Sequence, residues 1–408
     1  MSRNRGGFIG TDGLDAPDPP TGVAVSGGVD GVASISFTAP TDTGTSAITG
    51  FVATSSTGFG GTSTSSPISV SGLAVGTAAT FRAYAINAYG TSAASDASSS
   101  ITPAASRGLI YHGQASSGST SSKSNTDTIE YITISSTGNA TDFGNLSAST
   151  HGQSALASST RAVSVGGDGS LGTAMEYVTI SSTGNTTDFG DTGGVVYSGA
   201  FASSTRGVFN AAYRSSAVVN IIEYITTAST GDSTDFGNLS VSRMYNGGVS
   251  SSTRGIFIGG ATDAGNSSLS NVLDYVTIAS TGNAADFGNL LSATTQLTGC
   301  GSSTRGITGG GQTGGSGTEI NVMQYVTIAS TGNATDFGNL TQARSQKVAC
   351  VSSSTRATFN GGSNAAGNTR YNIIDYVTIA STGNASDFGD LGAYPANSAG
   401  TSNAHGGL

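Results

Sequence analysis

"VTIASTGNATDFGNL", residues 326–340, is one of six near-copies in this chain. It reads as a strand, a turn and a second short strand. Val, Ile and Tyr favour extended backbone, and Gly-Asn tolerates positive φ, so the stretch is expected to form a hairpin. The copies place Asp-Phe-Gly at Asp142, Asp188, Asp235, Asp286, Asp336 and Asp387, 46 to 51 residues apart. A recurring spacing of that length marks a repeat architecture.

Two more positions keep the same beat. An arginine closes an "STR" or "SR" motif at Arg107, Arg161, Arg206, Arg254, Arg305 and Arg356. An acid or amide precedes tyrosine at Glu130-Tyr131, Glu176-Tyr177, Glu223-Tyr224, Asp274-Tyr275, Gln324-Tyr325 and Asp375-Tyr376. One unit therefore reads as four strands: "QKVACVSS" into the Ser-Thr-Arg turn, then "RGIFIGG", a variable loop, "NVLDYVTIA", and "ADFGNL". In the third strand Ile222 and Tyr224 point one way and Ile221 and Ile225 the other, so both faces are expected to be buried. A four-stranded sheet with a neighbour on each face is a propeller blade. The first repeat lacks its first strand, and residues near 396–405 occupy such a strand's place at the end of the chain. They are expected to complete the opening blade and close a six-bladed ring, leaving no bare sheet edge. In each Asp-Phe-Gly, Phe is expected to fill the wedge between blades, and Asp to bond amides of its own turn. The triplet's likeness to a kinase motif is chance, because no Gly-rich loop, strand lysine or catalytic loop accompanies it.

Composition agrees with an all-β chain. Of 408 residues, 10% are charged and seven are proline. No long stretch has a helical period. The net charge of −9 argues against a nucleic-acid partner, which calls for a basic stripe. No apolar run approaches the ~18–20 residues of a membrane span, so no membrane insertion is expected. The opening "MSRNRGGFIGTDGLD" has no apolar core of the kind a secretory signal carries. The two cysteines, Cys300 and Cys350, lie shortly before "STR" motifs, where other repeats carry Leu156, Phe201 and Val249. Both are expected as small apolar residues of packed strands, not as a disulfide or metal ligands.

The chain divides into three parts. Residues 1–15 form an arm, either an unstructured terminus or an anchor that orders on a partner, and "APDPP" (16–20) marks a boundary. Residues 16–103 carry short alternating runs, the pattern of a β-sandwich of about seven strands. Residues 104–408 hold the repeats.

Within the second part, Gly72-Leu73, Gly76-Thr77 and the run Phe81-Arg82-Ala83-Tyr84-Ala85-Ile86-Asn87-Ala88-Tyr89-Gly90 resemble a fibronectin type III domain. Phe37 stands where that family usually has Trp, and Phe81 where it has the corner Tyr. The repeats resemble kelch units through Gly166-Gly167, Gly259-Gly260, Gly309-Gly310 and Gly361-Gly362 and the third-strand Tyr. The third repeat departs with Asn210-Ala211-Ala212, the first keeps only Gly113, and Phe143 and its five equivalents replace the family's Trp. The whole layout, with "RNRGGFIG" at its start, resembles fibre-like virion proteins of tailed marine phages that infect cyanobacteria. The resemblance implies a virion location, on the exterior surface or tail, with Arg3, Arg5, Gly6 and Gly7 anchoring the arm to other virion proteins. It implies a propeller facing a host cell-surface glycan or protein, and it is compatible with a homo-oligomer. The competing reading is an exported bacterial adhesin with a sugar-binding propeller. Asn-X-Ser/Thr triplets such as those at Asn139 and Asn333 would carry glycans only in a secretory pathway.

No enzyme chemistry and no cofactor are expected. His112, His151 and His405 sit in unrelated contexts, whereas metal sites want clustered ligands. No nucleophile elbow stands out among the serines. The acids before Tyr recur in nearly every repeat, which favours a structural role over a catalytic pair. What varies is the loop after the glycine pair, and repeat proteins often place their binding face on such insertions. The loops are small and hydroxyl-rich, with Tyr213, Arg214, Arg370 and Tyr371 as the larger binding-face candidates.

Overall fold

The computed structural model describes residues 14–120, 122–314 and 317–408. The anchoring candidates Arg3, Arg5, Gly6 and Gly7 lie outside the described residues. The protein is all-β, with no helix among the described residues. It divides into two compact units between Ala105 and Ser106.

The first unit has two antiparallel sheets. Thr21–Val29, Val32–Thr38 and Ile68–Val70 make one; Gly60–Ser63, Ile48–Ser55, Phe81–Asn87 and Gly90–Thr91 make the other. Phe81, Ala83 and Ala85 alternate with more exposed neighbours, and with Ile35, Phe37 and Phe51 they form one apolar core. The following segment binds by side chains. Ser92, Ser95 and Ser98 accept the amides of Ala85, Ala83 and Phe81 on their hydroxyl oxygens, at 2.9–3.0 Å.

The second unit contains six antiparallel sheets that share one four-strand order. In the second sheet that order is Ser154–Ala157, Arg161–Val165, Ala174–Thr179 and Thr187–Asp191. The first sheet takes its first strand from the far end of the chain: Ala399–Ser402 pairs with Arg107–Tyr111, Ala399 opposite Tyr111 and Ser402 opposite Gly108. Successive first strands pack side by side, and Ala399–Ser402 packs between Ala349–Ser352 and Ser154–Ala157.

The register explains the recurring Asp-Phe-Gly. Asp142 pairs with Glu130 and Gly144 with Ile129, which leaves Phe143 as the extra residue of a β-bulge. The same shift occurs in the other five sheets. The bulge lets the Phe carbonyl accept from the next sheet. Gly184 N–H donates to Phe143 O at 2.8 Å, the series continues sheet by sheet, and Gly138 N–H of the first sheet donates to Phe388 O of the last. The triplet's glycine is needed for that approach. A Cβ on Gly237 would stand 2.4 Å from Gly282 O, at a φ of +147°. The Phe rings are buried, and each meets its own sheet's Tyr edge-on at 6.0–6.1 Å.

Two expectations are corrected here. The Asp of the triplet is exposed, and its carboxylate makes no hydrogen bond among the described residues, to its own turn or elsewhere. The turn's Asn, or Asp232, does that work across the gap: Asn185 Oδ1 accepts Asn145 N–H at 3.0 Å, and Asn139 Oδ1 accepts Asp390 N–H at 3.0 Å. Second, Cys300 and Cys350 are bonded as a disulfide between adjacent first strands. Cys300 lies five residues before Arg305, and Cys350 six before Arg356. Side chains alternate along a strand, so this offset turns the two thiols toward each other across the sheets.

The "STR" arginines clamp neighbours. Each guanidinium lies 4.2–4.5 Å over its own sheet's Tyr ring. It also donates to a carbonyl of the following sheet, as Arg107 does to Ile180 O at 2.8 Å, and Arg356 of the last sheet reaches Ile134 O of the first at 2.9 Å.

Candidate functional site

In each sheet the variable loop and the connector entering the first strand lie at the same end. Isolated bridges tie them together: Met244 to Ala261, Thr295 to Gln312, Ser345 to Ser363 and Ala396 to Gln114. This end carries the polar side chains and the clefts that a ligand could use.

One is an open cleft of about 460 Å³ among the loops of the fourth, fifth and sixth sheets. Gly265, Asn266, Gln312, Glu319, Asn364 and Ala365 line it. Local turn chemistry sets its walls. Asp263 Oδ1 accepts the amides of Ser267 and Ser268, both at 2.9 Å, and its hydrogen bonds hold its carboxyl below the usual range. Asn364 Oδ1 accepts Asn368 and Thr369 amides at 3.1 Å in the same way. The cleft's side chains position one another. Asn266 accepts from Thr295 Oγ1 at 2.7 Å and donates to Gln312 Oε1 at 3.3 Å, Gln312 Nε2 donates to Ser345 Oγ at 3.2 Å, and Ala365 N–H donates to Glu319 Oε2 at 3.3 Å. The volume falls within the ~300–1,000 Å³ of small-molecule sites.

A second cluster is aromatic. Tyr197 and Tyr245 stack with ring centroids 4.3 Å apart, and Tyr197 OH shares a hydrogen bond of 2.9 Å with His151 Nε2. Asp168 Oδ2 stands 3.7 Å from the same nitrogen. Burial pushes His151 below its ordinary pKa, against the pull of Asp168, and pushes both phenols up. All three rings are therefore neutral at pH 7.

The four candidates drawn from the loops separate in kind. Tyr213 is half-buried and close enough to Tyr245 to influence its ionisation. Arg214 donates to Gly194 O at 3.0 Å and pairs with Glu223 at 2.9 Å. Arg370 is 3% exposed, and its guanidinium donates to Gly367 O at 2.9 Å. Tyr371 is half-buried. The structure groups Tyr213 with the aromatic cluster and engages both arginines within the protein, Arg214 with its own sheet's acid and Arg370 with its own loop.

The histidines take separate partners: His112 meets Glu130 at 2.9 Å, and His405 Nε2 meets Ala157 O at 2.8 Å. Four of the acids before Tyr, Glu130, Glu176, Asp274 and Asp375, join their sheet to the one before it, whereas Glu223 pairs with Arg214 of its own sheet. Glu130 Oε1 accepts Gly392 N–H at 2.9 Å, Glu176 accepts from Ser147 N–H at 3.1 Å, and Asp375 accepts from Thr341 N–H at 3.1 Å. Where the acid is the shorter Asp, a buried arginine completes the pairing, Arg243 with Asp274 and Arg344 with Asp375, each at 3.0 Å. No group of three metal-binding side chains occurs among the described residues.

Loop reading overlooks the connectors. Gly152, Tyr197, Tyr245, Gln296 and Lys347 each lie nine residues before an "STR" arginine, and all have φ between +50° and +67°. Their backbones are linked in series: Tyr197 N–H donates to Gly152 O, Tyr245 to Tyr197, Gln296 to Tyr245 and Lys347 to Gln296. Gly152 N–H donates to Asn397 O, and Ser398 N–H to Lys347 O. Counting back from the arginines would have found them.

No family model and no curated protein matches the chain.

Proposed function

We infer that this chain is a non-enzymatic structural protein of a tailed-phage virion that presents a sugar-binding propeller. In this reading residues 106–408 are a closed, six-bladed, kelch-like ring, and the first unit is a fibronectin type III-like spacer. Support for the ring comes from interactions that run from each sheet to the next and from the last to the first: Phe carbonyl to turn glycine, turn Asn to backbone amide, and "STR" arginine to carbonyl. Location on a virion exterior or tail, with Arg3 and Arg5 in the attaching arm, follows from the resemblance in layout.

The observation that carries ligand binding is the cleft of about 460 Å³ with Asn266, Gln312, Glu319 and Asn364 on its walls. Side-chain amides and a carboxylate offer donors and acceptors to sugar hydroxyls, and their mutual hydrogen bonds lower the ordering cost on binding. The full-length chain, titrated with a panel of extracted bacterial surface polysaccharides, should bind at least one of them saturably. The Gln312→Ala/Glu319→Ala double variant should lose about tenfold or more in affinity, the equivalent of one or two hydrogen bonds, with an unchanged melt. Saturable binding that the variant leaves intact, or no binding to any polysaccharide, overturns the reading.

One feature favours the exported adhesin as a second reading. The Cys300–Cys350 disulfide suits an oxidising compartment. Antibody labelling of purified phage particles against intact bacterial cells separates the two.

A further inference from the structure

Lys347 is a buried amine with no acid paired to it among the described residues. It is 6% exposed, and its side chain leaves the sixth sheet's connector to meet the connectors of the second and third. Nζ lies 2.5 Å from Ser198 O, 3.3 Å from Ser154 Oγ and 3.5 Å from Gln153 O. Those partners are neutral, and among the described residues no carboxylate forms an ion pair with it. Arg243, Arg344 and Arg214, by contrast, each have an acid within 3.0 Å. Burying an ammonium unpaired is costly, so the group either releases its proton or acquires a counter-ion.

Beside it is a cavity of about 40 Å³, lined by Ser154, Ser198, Asn246, Thr298, Lys347 and Ser398 together with backbone. A water needs ~10–15 Å³ by this measure, so the space takes about three. The walls contain no acid. Two of the side chains, Asn246 through Nδ2 and Ser398 through Oγ, are buried there without a hydrogen-bond partner. A buried amine, two neighbouring side chains with unpartnered polar atoms and an acid-free lining favour a small anion over a cation or a sugar in a space of this size.

We propose that Lys347, Asn246 and Ser398 form a binding site for a monovalent anion of halide size, held where the connectors of several sheets meet. The site is independent of the glycan cleft. Burial alone pulls the Lys347 amine down to about 7. A bound halide favours the charged amine and so draws a proton with it.

The test is thermal unfolding of the full-length chain at constant ionic strength, with chloride replacing gluconate, an anion too large for the cavity. Chloride should raise the midpoint saturably by a few degrees, and Lys347→Met should abolish the difference. No saturable difference in wild type, or the same difference in the variant, overturns the proposal. Should Lys347→Met fail to fold, wild-type crystals grown in bromide decide it. An anomalous peak within hydrogen-bonding reach of Nζ supports the site, and a flat map there at saturating bromide refutes it.

Discussion

Replacing Arg243 by methionine tests how the acids before tyrosine hold neighbouring sheets together. Arg243 and Asp274 are both fully buried, with Nη2 to Oδ2 at 3.0 Å. Burial pulls the guanidinium down to about 10, and the Asp274 carboxylate opposes the shift, so Arg243 stays charged at neutral pH. Methionine keeps most of the bulk but leaves Asp274 with only Ser240 to satisfy it, through Oγ at 2.7 Å and N–H at 3.2 Å. Val272 O also loses its donor at 2.7 Å. An uncompensated buried charge costs about 3–5 kcal/mol. The fifth sheet supplies the rescue. There Gln324 occupies the acid's place, Thr294 takes the arginine's position in the connector, and Gln324 Oε1 accepts Leu291 N–H at 2.8 Å. Adding Asp274→Gln to Arg243→Met removes the charge, so the double variant should regain at least ~2 kcal/mol, since neutral replacements of buried pairs are often tolerated. Urea denaturation of the full-length chain, followed by near-ultraviolet tyrosine dichroism, reads both numbers. A single variant costing under ~1 kcal/mol, or a double variant no more stable than the single, would mean that the buried pair does not hold these sheets together.

Gly237→Ala should cost about 1–3 kcal/mol, because its Cβ would stand 2.4 Å from the Gly282 carbonyl oxygen. Gly332→Ala, whose Cβ meets nothing within 4 Å and whose φ lies outside the left-handed range, should cost under ~0.5 kcal/mol in the same denaturation series. Reducing Cys300–Cys350, which closes a 50-residue separation, should lower stability by ~2–5 kcal/mol, measured with and without dithiothreitol against a Cys300→Ala/Cys350→Ala control that should not respond. In gluconate, stability should rise with pH between about 7 and 10.5, because unfolded Lys347 keeps a proton that the folded amine has given up. The slope is at most ~1.4 kcal/mol per pH unit and should disappear in Lys347→Met; urea midpoints at pH 7 and 9 measure it.

The period, the strand order and the arginine and tyrosine positions were legible because each is a local pattern repeated six times. The bulge was not. Asp-Phe-Gly looks like an ordinary strand start, and only cross-strand pairing shows that Phe143 has no partner opposite. Asp142 and Asn185 are both plausible acceptors by composition, and their separation in role depends on where the next sheet's amide arrives. The cysteines carried their signal in parity: one lies five and the other six residues before an arginine. The candidate site was half visible. Variable loops point to an end of the sheets, yet sequence does not say whether a loop arginine faces outward or, like Arg214, pairs with its own sheet's acid. Tyr197, Tyr245 and Lys347 sit in connectors whose length hardly varies, so a search for variation passes over them.

A glycan held in the proposed cleft should slow amide exchange in the loops of the fourth, fifth and sixth sheets. Hydrogen–deuterium exchange of the full-length chain, with and without a saturating polysaccharide, reads that occupancy. Protection should appear in residues 262–269, 312–320 and 363–371 and be absent from the Ser-Thr-Arg turns at the opposite end. Protection confined to those turns, or to residues 14–105, would contradict the account.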